Sequence, residues 1–236
     1  MTAIPLAIIG MGKMGRALEQ LAPERGFRVV AVIHHELAIT KESLNGADVA
    51  IEFTTPSAAA PNALACASAG CPVVVGTTGW YDQLPTVRRV VEQSGGALLT
   101  APNFSVGVAI FDRVVAEAAR LFADQPFFDG HLIETHHTAK KDAPSGTAAS
   151  LARTAEAASG KPMPITSVRV GSVPGTHEVV FDGAFEQVRL VHEARDRRVF
   201  AEGALAAARW LVGRTGVFTM HDVLGMPLAT PHTTTR

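Results

Sequence analysis

Two histidines, two lysines and a helix start crowd into one stretch of this chain, Glu134-Thr135-His136-His137-Thr138-Ala139-Lys140-Lys141-Asp142-Ala143-Pro144-Ser145-Gly146-Thr147-Ala148. The pattern reads as a strand, a loop and then a helix. Ser145, Gly146 and Thr147 open that helix, so unpaired backbone N–H groups and two hydroxyls face the same way and suit a carboxylate or a phosphate. Lys140 adds a point charge with three donors. His136 and His137 titrate near neutrality, and a charged lysine close by favours the neutral imidazole. An imidazole beside an ammonium can handle protons. Residue by residue, a solvated loop with a serine cap would explain the segment equally well; their concentration argues for a site. Glu134 and Asp142 could complete a metal-ligand set with the histidines, but the lysines would repel the ion, and no metal is expected.

A second group with chemical meaning lies at the start of the chain. Gly10-Met11-Gly12-Lys13-Met14-Gly15 has the G-x-G-x-x-G spacing between a strand and a helix. The first glycine permits the tight turn, the second lets a pyrophosphate approach the backbone, and the third lets the helix pack on the sheet. The helix N-terminus then offers its N–H groups to the phosphates. A dinucleotide cradle is expected. The acidic residue that usually ends the second strand and binds the ribose is missing; the strand runs instead into His34-His35-Glu36. Imidazoles there remove the repulsion toward a 2′-phosphate, which favours NADPH or dual use, although Glu36 could reach the ribose of NADH. Gly76-Thr77-Thr78-Gly79 and Ala101-Pro102-Asn103-Phe104 follow later strands on the ligand side of such a sheet. Small residues there allow backbone contact with the nicotinamide ribose, and Asn103 can bond the carboxamide.

Positioning these groups requires two kinds of architecture. Up to Thr100 the chain alternates short apolar strands (Leu6 to Ile9, Arg28 to Ile33, Asp48 to Phe53, Pro72 to Val75, Ala97 to Thr100) with helices (Lys13 to Leu21, Ser57 to Ala69, Tyr81 to Glu92). Strands apolar throughout and separated by helices indicate a parallel sheet covered on both faces, a Rossmann-like doubly wound α/β fold. Beyond Asn103 come a long helix (Val106 to Phe122), a strand (Phe127 to His136) and a helix (Ser145 to Ala158). Three strand-like runs then follow with no helix between them: Thr166 to Gly171, His177 to Phe181 and Gln187 to Glu193. Strands in sequence suggest an open mixed sheet in a second, α+β domain. A last amphipathic helix covers Val199 to Val212.

Composition closes off other classes. Among 236 residues the net charge is -1 with acids and bases interspersed, which argues against nucleic-acid binding. The apolar runs are short and interrupted, so no membrane span is expected, and the start carries no signal-peptide pattern. Cys66 and Cys71 read as two reduced thiols. The chain reads as a soluble, cytoplasmic protein.

The run from Glu134 to Ala148 closely resembles the signature of the dihydrodipicolinate reductase family. The Gly10 to Gly15 turn, Gly76-Thr77-Thr78-Gly79, Asn103-Phe104-Ser105-Val106-Gly107, Arg169-Val170-Gly171 with His177, and Phe200-Ala201-Glu202-Gly203-Ala204 fall in the family's order. Nearly the whole chain is covered. The resemblance implies reduction of 4-hydroxy-tetrahydrodipicolinate, a small dianionic cyclic substrate, with loss of water, on the route to diaminopimelate and lysine. It implies His136 as catalytic acid/base, Lys140 as proton donor, His137 as a substrate-binding histidine, and Ser145, Gly146 and Thr147 as the carboxylate-binding turn. On the cofactor side it implies Gly10, Met11, Gly12, Lys13 and Met14, then Gly76, Thr77 and Thr78, then Ala101, Pro102, Asn103 and Phe104. It further implies a homotetramer built on the second domain's sheet. The last helix would return to the nucleotide domain, giving residues 1–105 and 200–236 for that domain and 106–199 for substrate binding and oligomerisation. A related amino-acid or sugar dehydrogenase would share the glycine turn but has no need of the histidine–lysine segment. A dinucleotide-sensing regulator would bind the cofactor without turnover.

Overall fold

The computed structural model describes residues 2–34 and 37–225. Two compact units are present, divided between Ser105 and Val106 and again between Arg197 and Arg198.

The first unit begins with β1 (Ile4–Ile9), α1 (Lys13–Leu21), a 3-10 turn (Pro23–Arg25) and β2 (Phe27–Ile33). It continues through β3 (Val49–Glu52), α2 (Pro56–Ser68), β4 (Val73–Val75), α3 (Leu84–Gln93) and β5 (Ala97–Thr100). The returning chain adds α6 (Arg198–Leu211), β10 (Gly216–Phe218) and α7 (Met220–Val223). The strand order is β10-β5-β4-β3-β1-β2 and every pairing is parallel. Strands β3, β4 and β5 are buried along their whole length, as they must be when helices cover both faces. Helices α2 and α3 pack with Ala50, Val73, Val75 and Leu98 in one core, and α6 lies against β3, β4 and β5. The strand order reverses at β1, which stands between β2 and β3, so the ends of β1 and β3 border the crevice where such sheets take ligands. This is the Rossmann-like fold expected.

Several bounds shift by one or two residues from the sequence reading, and larger differences lie at α3 and near the C-terminal end of the described chain. Helix α3 starts at Leu84 rather than Tyr81, because Pro85 has no N–H to give and fits only in the first turn. The residues before it form a turn, with Gln83 N donating to Trp80 O at 2.9 Å. The apolar residues Val217 and Phe218, unassigned from sequence, form β10 and extend the sheet beyond β5.

The second unit holds α4 (Val106–Phe122), β6 (Phe128–His136), α5 (Gly146–Ser159), β7 (Ile165–Arg169), β8 (Thr176–Gly183) and β9 (Gln187–Glu193). Its sheet runs β7-β6-β8-β9, parallel between β6 and β7 and antiparallel elsewhere, the mixed sheet expected. Helices α4 and α5 cover one face, packing Phe111, Val115, Leu151 and Ala155 on Leu132, Val179 and Phe181. The other face leaves Val168, Val170 and Val191 exposed. Cys66 and Cys71 are both free and buried, and burial pushes the Cys71 thiol up to about 12, so neither is a reactive centre. No helix among the described residues is long and apolar enough to cross a membrane.

Candidate active site

Strand periodicity builds the second unit's site. Residues 132, 134 and 136 of β6 point to one face, and so do the residues they meet across the ladders. Leu132 faces Val179 and Ile165, deep under the helices; Glu134 faces His177 and Ser167; His136 faces Arg169. His177 in turn faces His192 on β9. The covered face is therefore apolar at one end and polar at the other, where β6 runs out and α5 begins. Ser145 caps α5 from there, its Oγ accepting from Ala148 N at 3.1 Å.

Glu134 is the hub. Its Oε1 accepts from Arg169 Nη2 at 2.7 Å and from Ser145 N at 3.2 Å, and its Oε2 lies 2.5 Å from His136 Nδ1. Burial alone would raise its pKa, but the hydrogen bonds from Arg169, Ser167 and Ser145 outweigh burial and hold it at about 2. His136 is 7% exposed, and burial pushes its pKa down. Glu134 opposes that shift, while Lys140 and Arg169 add to it. His177 packs edge-on against His136 with ring centroids 5.3 Å apart, and its Nε2 lies 3.3 Å from Ser145 Oγ. Burial, reinforced by His136, brings its pKa down to about 4. At neutral pH the cluster thus holds an ionised carboxylate under a guanidinium, with two neutral imidazoles beside them.

The structure brings Lys140, Ser145, Gly146 and Thr147 to the same end of the sheet as His136. Lys140 is not a loose charge: its Nζ sits 2.8 Å from Asp142 Oδ1, and Asp142 O also accepts from Arg169 Nη2. Ser145 is 2% exposed with its hydroxyl already engaged, whereas Gly146 is open, with nothing near the position a Cβ would take. A carboxylate at this helix start would therefore be met by backbone N–H groups near Gly146 and Thr147. His137 is half-buried, its Nε2 3.4 Å from Arg197 Nη2. Arg169 and His177 entered the sequence reading only as signposts of resemblance, and Glu134 only as a conceivable metal ligand. Pairing across strands brings them into the candidate site, and no local spacing could announce that. Glu134, His136 and His177 also place one ligand atom each within 4.8 Å of one another. A cation there would face the guanidinium of Arg169 bonded to the same carboxylate.

The first unit carries the glycine turn. Gly10 has φ +94, and a Cβ there would stand 2.2 Å from Phe53 O. A Cβ on Gly15 would stand 2.0 Å from Gly10 O, so the helix packs directly on the turn. Gly12 caps α1 without a side-chain hydrogen bond and has open space around its Cβ position. Two glycines are thus required by the protein's own backbone, and the third borders open space at the N–H end of α1. Met11 and Met14 are half-buried beside it and Lys13 is exposed. His34, exposed, follows β2 next to this turn, since Gly10 N donates to Ile33 O at 2.9 Å. His35 and Glu36 lie outside the described residues.

The two later loops are tighter than their sequences suggest. A Cβ on Gly76 would meet the Phe53 ring at 2.1 Å, so that glycine accommodates a side chain of the protein itself. Thr77 is buried and its Oγ1 accepts from Thr54 N at 2.7 Å, while Thr78 is exposed. Ala101 and Phe104 are buried, Pro102 is exposed, and Asn103 Oδ1 accepts from Ser105 N at 2.8 Å. Glu52, fully buried beneath these loops, accepts from the Thr54 hydroxyl and from Asn62 Nδ2; it and Thr54 had no part in the sequence reading.

Comparison with known proteins gives a consistent result over the whole described chain. Residues 4–104 match the family profile "Dihydrodipicolinate reductase, N-terminus", and residues 107–224 match "Dihydrodipicolinate reductase, C-terminus". A protein of Christiangramia forsetii named 4-hydroxy-tetrahydrodipicolinate reductase is 34% identical over 233 residues, 93% of this chain and 97% of its own length. One of Methanosarcina mazei with the same name is 35% identical over 94% of this chain and 89% of its own. A solved structure, dipicolinate-bound dihydrodipicolinate reductase from Paenisporosarcina sp. TG-14, shares the fold with a TM-score of 0.78 at 23% identity, covering 94% of this chain and 99% of that one.

Proposed function

The chain belongs to the dihydrodipicolinate reductase family, and on that premise we propose that it reduces 4-hydroxy-tetrahydrodipicolinate to tetrahydrodipicolinate with NADPH or NADH, in the synthesis of diaminopimelate and lysine. The observation that carries this reading is the buried Arg169–Glu134–His136 constellation beside Lys140 and the open start of α5. The chemistry asks for those parts. The substrate is a ring with two carboxylates, which need a helix N-terminus and cationic side chains. After water is lost the ring is a conjugated imine, and reduction places a hydride on ring carbon 4 and a proton on the enamine that results.

The residues divide that work. Gly146, Thr147 and the capped start of α5 hold one carboxylate; His137 and Lys140 face the substrate's remaining charge. His136, neutral at pH 7, exchanges a proton with the ring, and Lys140 supplies one from the ammonium that Asp142 holds in place. In the first unit, Gly10, Met11, Gly12, Lys13, Met14 and Gly15 cradle the pyrophosphate. The backbones of Gly76, Thr77, Thr78, Ala101, Pro102, Asn103 and Phe104 border the nicotinamide ribose. The bound nicotinamide supplies the hydride. His34, exposed beside the glycine turn, is the described residue placed to meet a 2′-phosphate, which gives NADPH a modest advantage over NADH. The exposed Val168, Val170 and Val191 lie on the uncovered face of the second sheet, whose edges are β7 and β9. We assign that face to a homotetramer contact, which would cover both the apolar patch and the edges.

The test is oxidation of NADPH and of NADH, with substrate generated in place by dihydrodipicolinate synthase from pyruvate and aspartate semialdehyde. Oxidation that depends on the synthase and is unaffected by EDTA is expected. A folded protein that binds either cofactor but oxidises neither would remove the substrate assignment.

A further inference from the structure

His136 has two ring nitrogens, and only one can face the substrate. The structure distinguishes them. Nδ1 is turned inward, buried and 2.5 Å from Glu134 Oε2, a close contact that lacks the angles of a full hydrogen bond and leaves neither atom any other partner. Nε2 is turned toward Gly175, where even a methyl group would come within 3.0 Å of it. Glu134 cannot swing away to serve another partner. Its side chain is fully buried, and its other oxygen is held by Arg169 Nη2 and Ser145 N.

We propose that Glu134 is a positioning residue that fixes the tautomer of His136, keeping a proton on Nδ1 so that Nε2 is the nitrogen that gains and loses the proton in the reaction. Arg169 and the Ser145 N–H complete the device by fixing the carboxylate. An ionised carboxylate accepts hydrogen bonds and donates none, so the nitrogen facing it must carry hydrogen in both the neutral and the charged ring. Nε2 of the neutral Nδ1–H ring first takes up a proton from water; when the imidazolium so formed gives that proton to the enamine carbon, the N–H bond breaks, a C–H bond forms and the neutral Nδ1–H tautomer returns. Glu134 stays ionised against the Nδ1–H throughout and is never protonated. Gly175 belongs to the same device, because a side chain there would crowd the working nitrogen.

The proposal rests on the acid/base reading of His136, and its test must separate the two. The charged and titratable groups around the ring are Glu134 on its own strand, Lys140 in the following loop, Arg169 on β7 and His177 on β8. Glu134→Gln is the informative variant. Its amide oxygen can keep the bonds from Arg169 and Ser145, which turns the amide NH2 toward Nδ1 and makes that nitrogen an acceptor. The neutral ring then carries its proton on Nε2, the wrong tautomer. In the full-length wild-type protein with 15N-labelled histidine, the resonances lost in His136→Gln identify the ring, and neutral His136 is expected to be protonated at Nδ1. In Glu134→Gln the proton is expected at Nε2, with kcat lower by roughly 10²–10⁴-fold and KM for both reactants little changed. The limb of the kcat profile set by His136, the basic one because the ring donates as imidazolium, is expected to move to lower pH, and Glu134→Asp to restore part of kcat. On a His136→Gln background, Glu134→Gln is expected to remove little more. Nε2–H in the neutral wild-type ring overturns the proposal, whether or not any variant folds. So does a Glu134→Gln enzyme with unchanged kcat and pH profile. Full turnover by His136→Gln would instead sink the acid/base reading, while an Nδ1–H wild-type ring would still show Glu134 setting the tautomer.

Discussion

His177 sits between His136 and His192, with Nε2 against Ser145 Oγ, and burial holds its pKa near about 4 against an ordinary 6.5. A histidine kept neutral by folding stabilises the fold above the unfolded pKa, and that contribution is lost as pH falls from about 6.5 to about 4, because the unfolded chain binds the proton first. Glu134 acts further down. Its depressed pKa contributes stability above about 4.5 that disappears as pH falls toward about 2. The unfolding temperature is therefore expected to decline from pH 7 to pH 4, and His177→Gln to flatten that decline when followed by circular dichroism. An unchanged slope in the variant would mean that His177 titrates alike in both states. With Lys140 assigned to the substrate side, as proposed, Lys140→Ala is expected to lose turnover by at least about 10²-fold while NADPH affinity, read by fluorescence titration, stays near wild type. Equal losses in both would move Lys140 to the cofactor. The sequence made His136, Lys140 and the Ser145 helix start legible because they are close in the chain and chemically distinctive. Glu134, Arg169 and His177 meet only through the β7-β6-β8 register, so their relation could be read only after the sheet was built.

At the scale of elements, the turn from β1 into α1 separates what glycine does for folding from what it does for binding. Gly15→Ala drives a methyl group into Gly10 O and is expected to cost about 1–3 kcal/mol of stability. Gly12→Ala meets nothing in the protein. It is expected to unfold at the wild-type temperature yet bind NADPH about tenfold more weakly or worse, a loss of roughly 1.4 kcal/mol. Calorimetry of both variants checks the pair, and a Gly12→Ala protein with intact affinity would show that the pyrophosphate does not approach there. Most elements were legible for reasons of periodicity: α1, β5, α4 and β9 run between the residues that the apolar pattern sets. The misses have identifiable causes. Pro85 delayed α3 by a turn, and β10 is three residues whose only claim to strand structure is the edge of β5. The requirement for glycine at position 76 was not legible either, because it comes from the Phe53 ring, a neighbour in space and not in sequence.

The whole molecule joins two units of opposite construction. One is a parallel sheet wrapped on both faces, with its glycine turn at the strand ends; the other is a mixed sheet covered on one face, with its polar cluster where the covering helix starts. That division suits a reaction in which one body carries a hydride donor and the other holds a dianion and manages its protons. In the proposed reaction hydride passes directly from the nicotinamide to ring carbon 4 while the added proton comes through protein groups that exchange with water. This route is tested most directly with NADPH deuterated at the transferring position of the nicotinamide, substrate made in place by the synthase, and mass and NMR analysis of the product. One deuterium is expected, on ring carbon 4, with a solvent-derived proton on the adjacent carbon. Deuterium lost to water, or found on any other carbon, would contradict it.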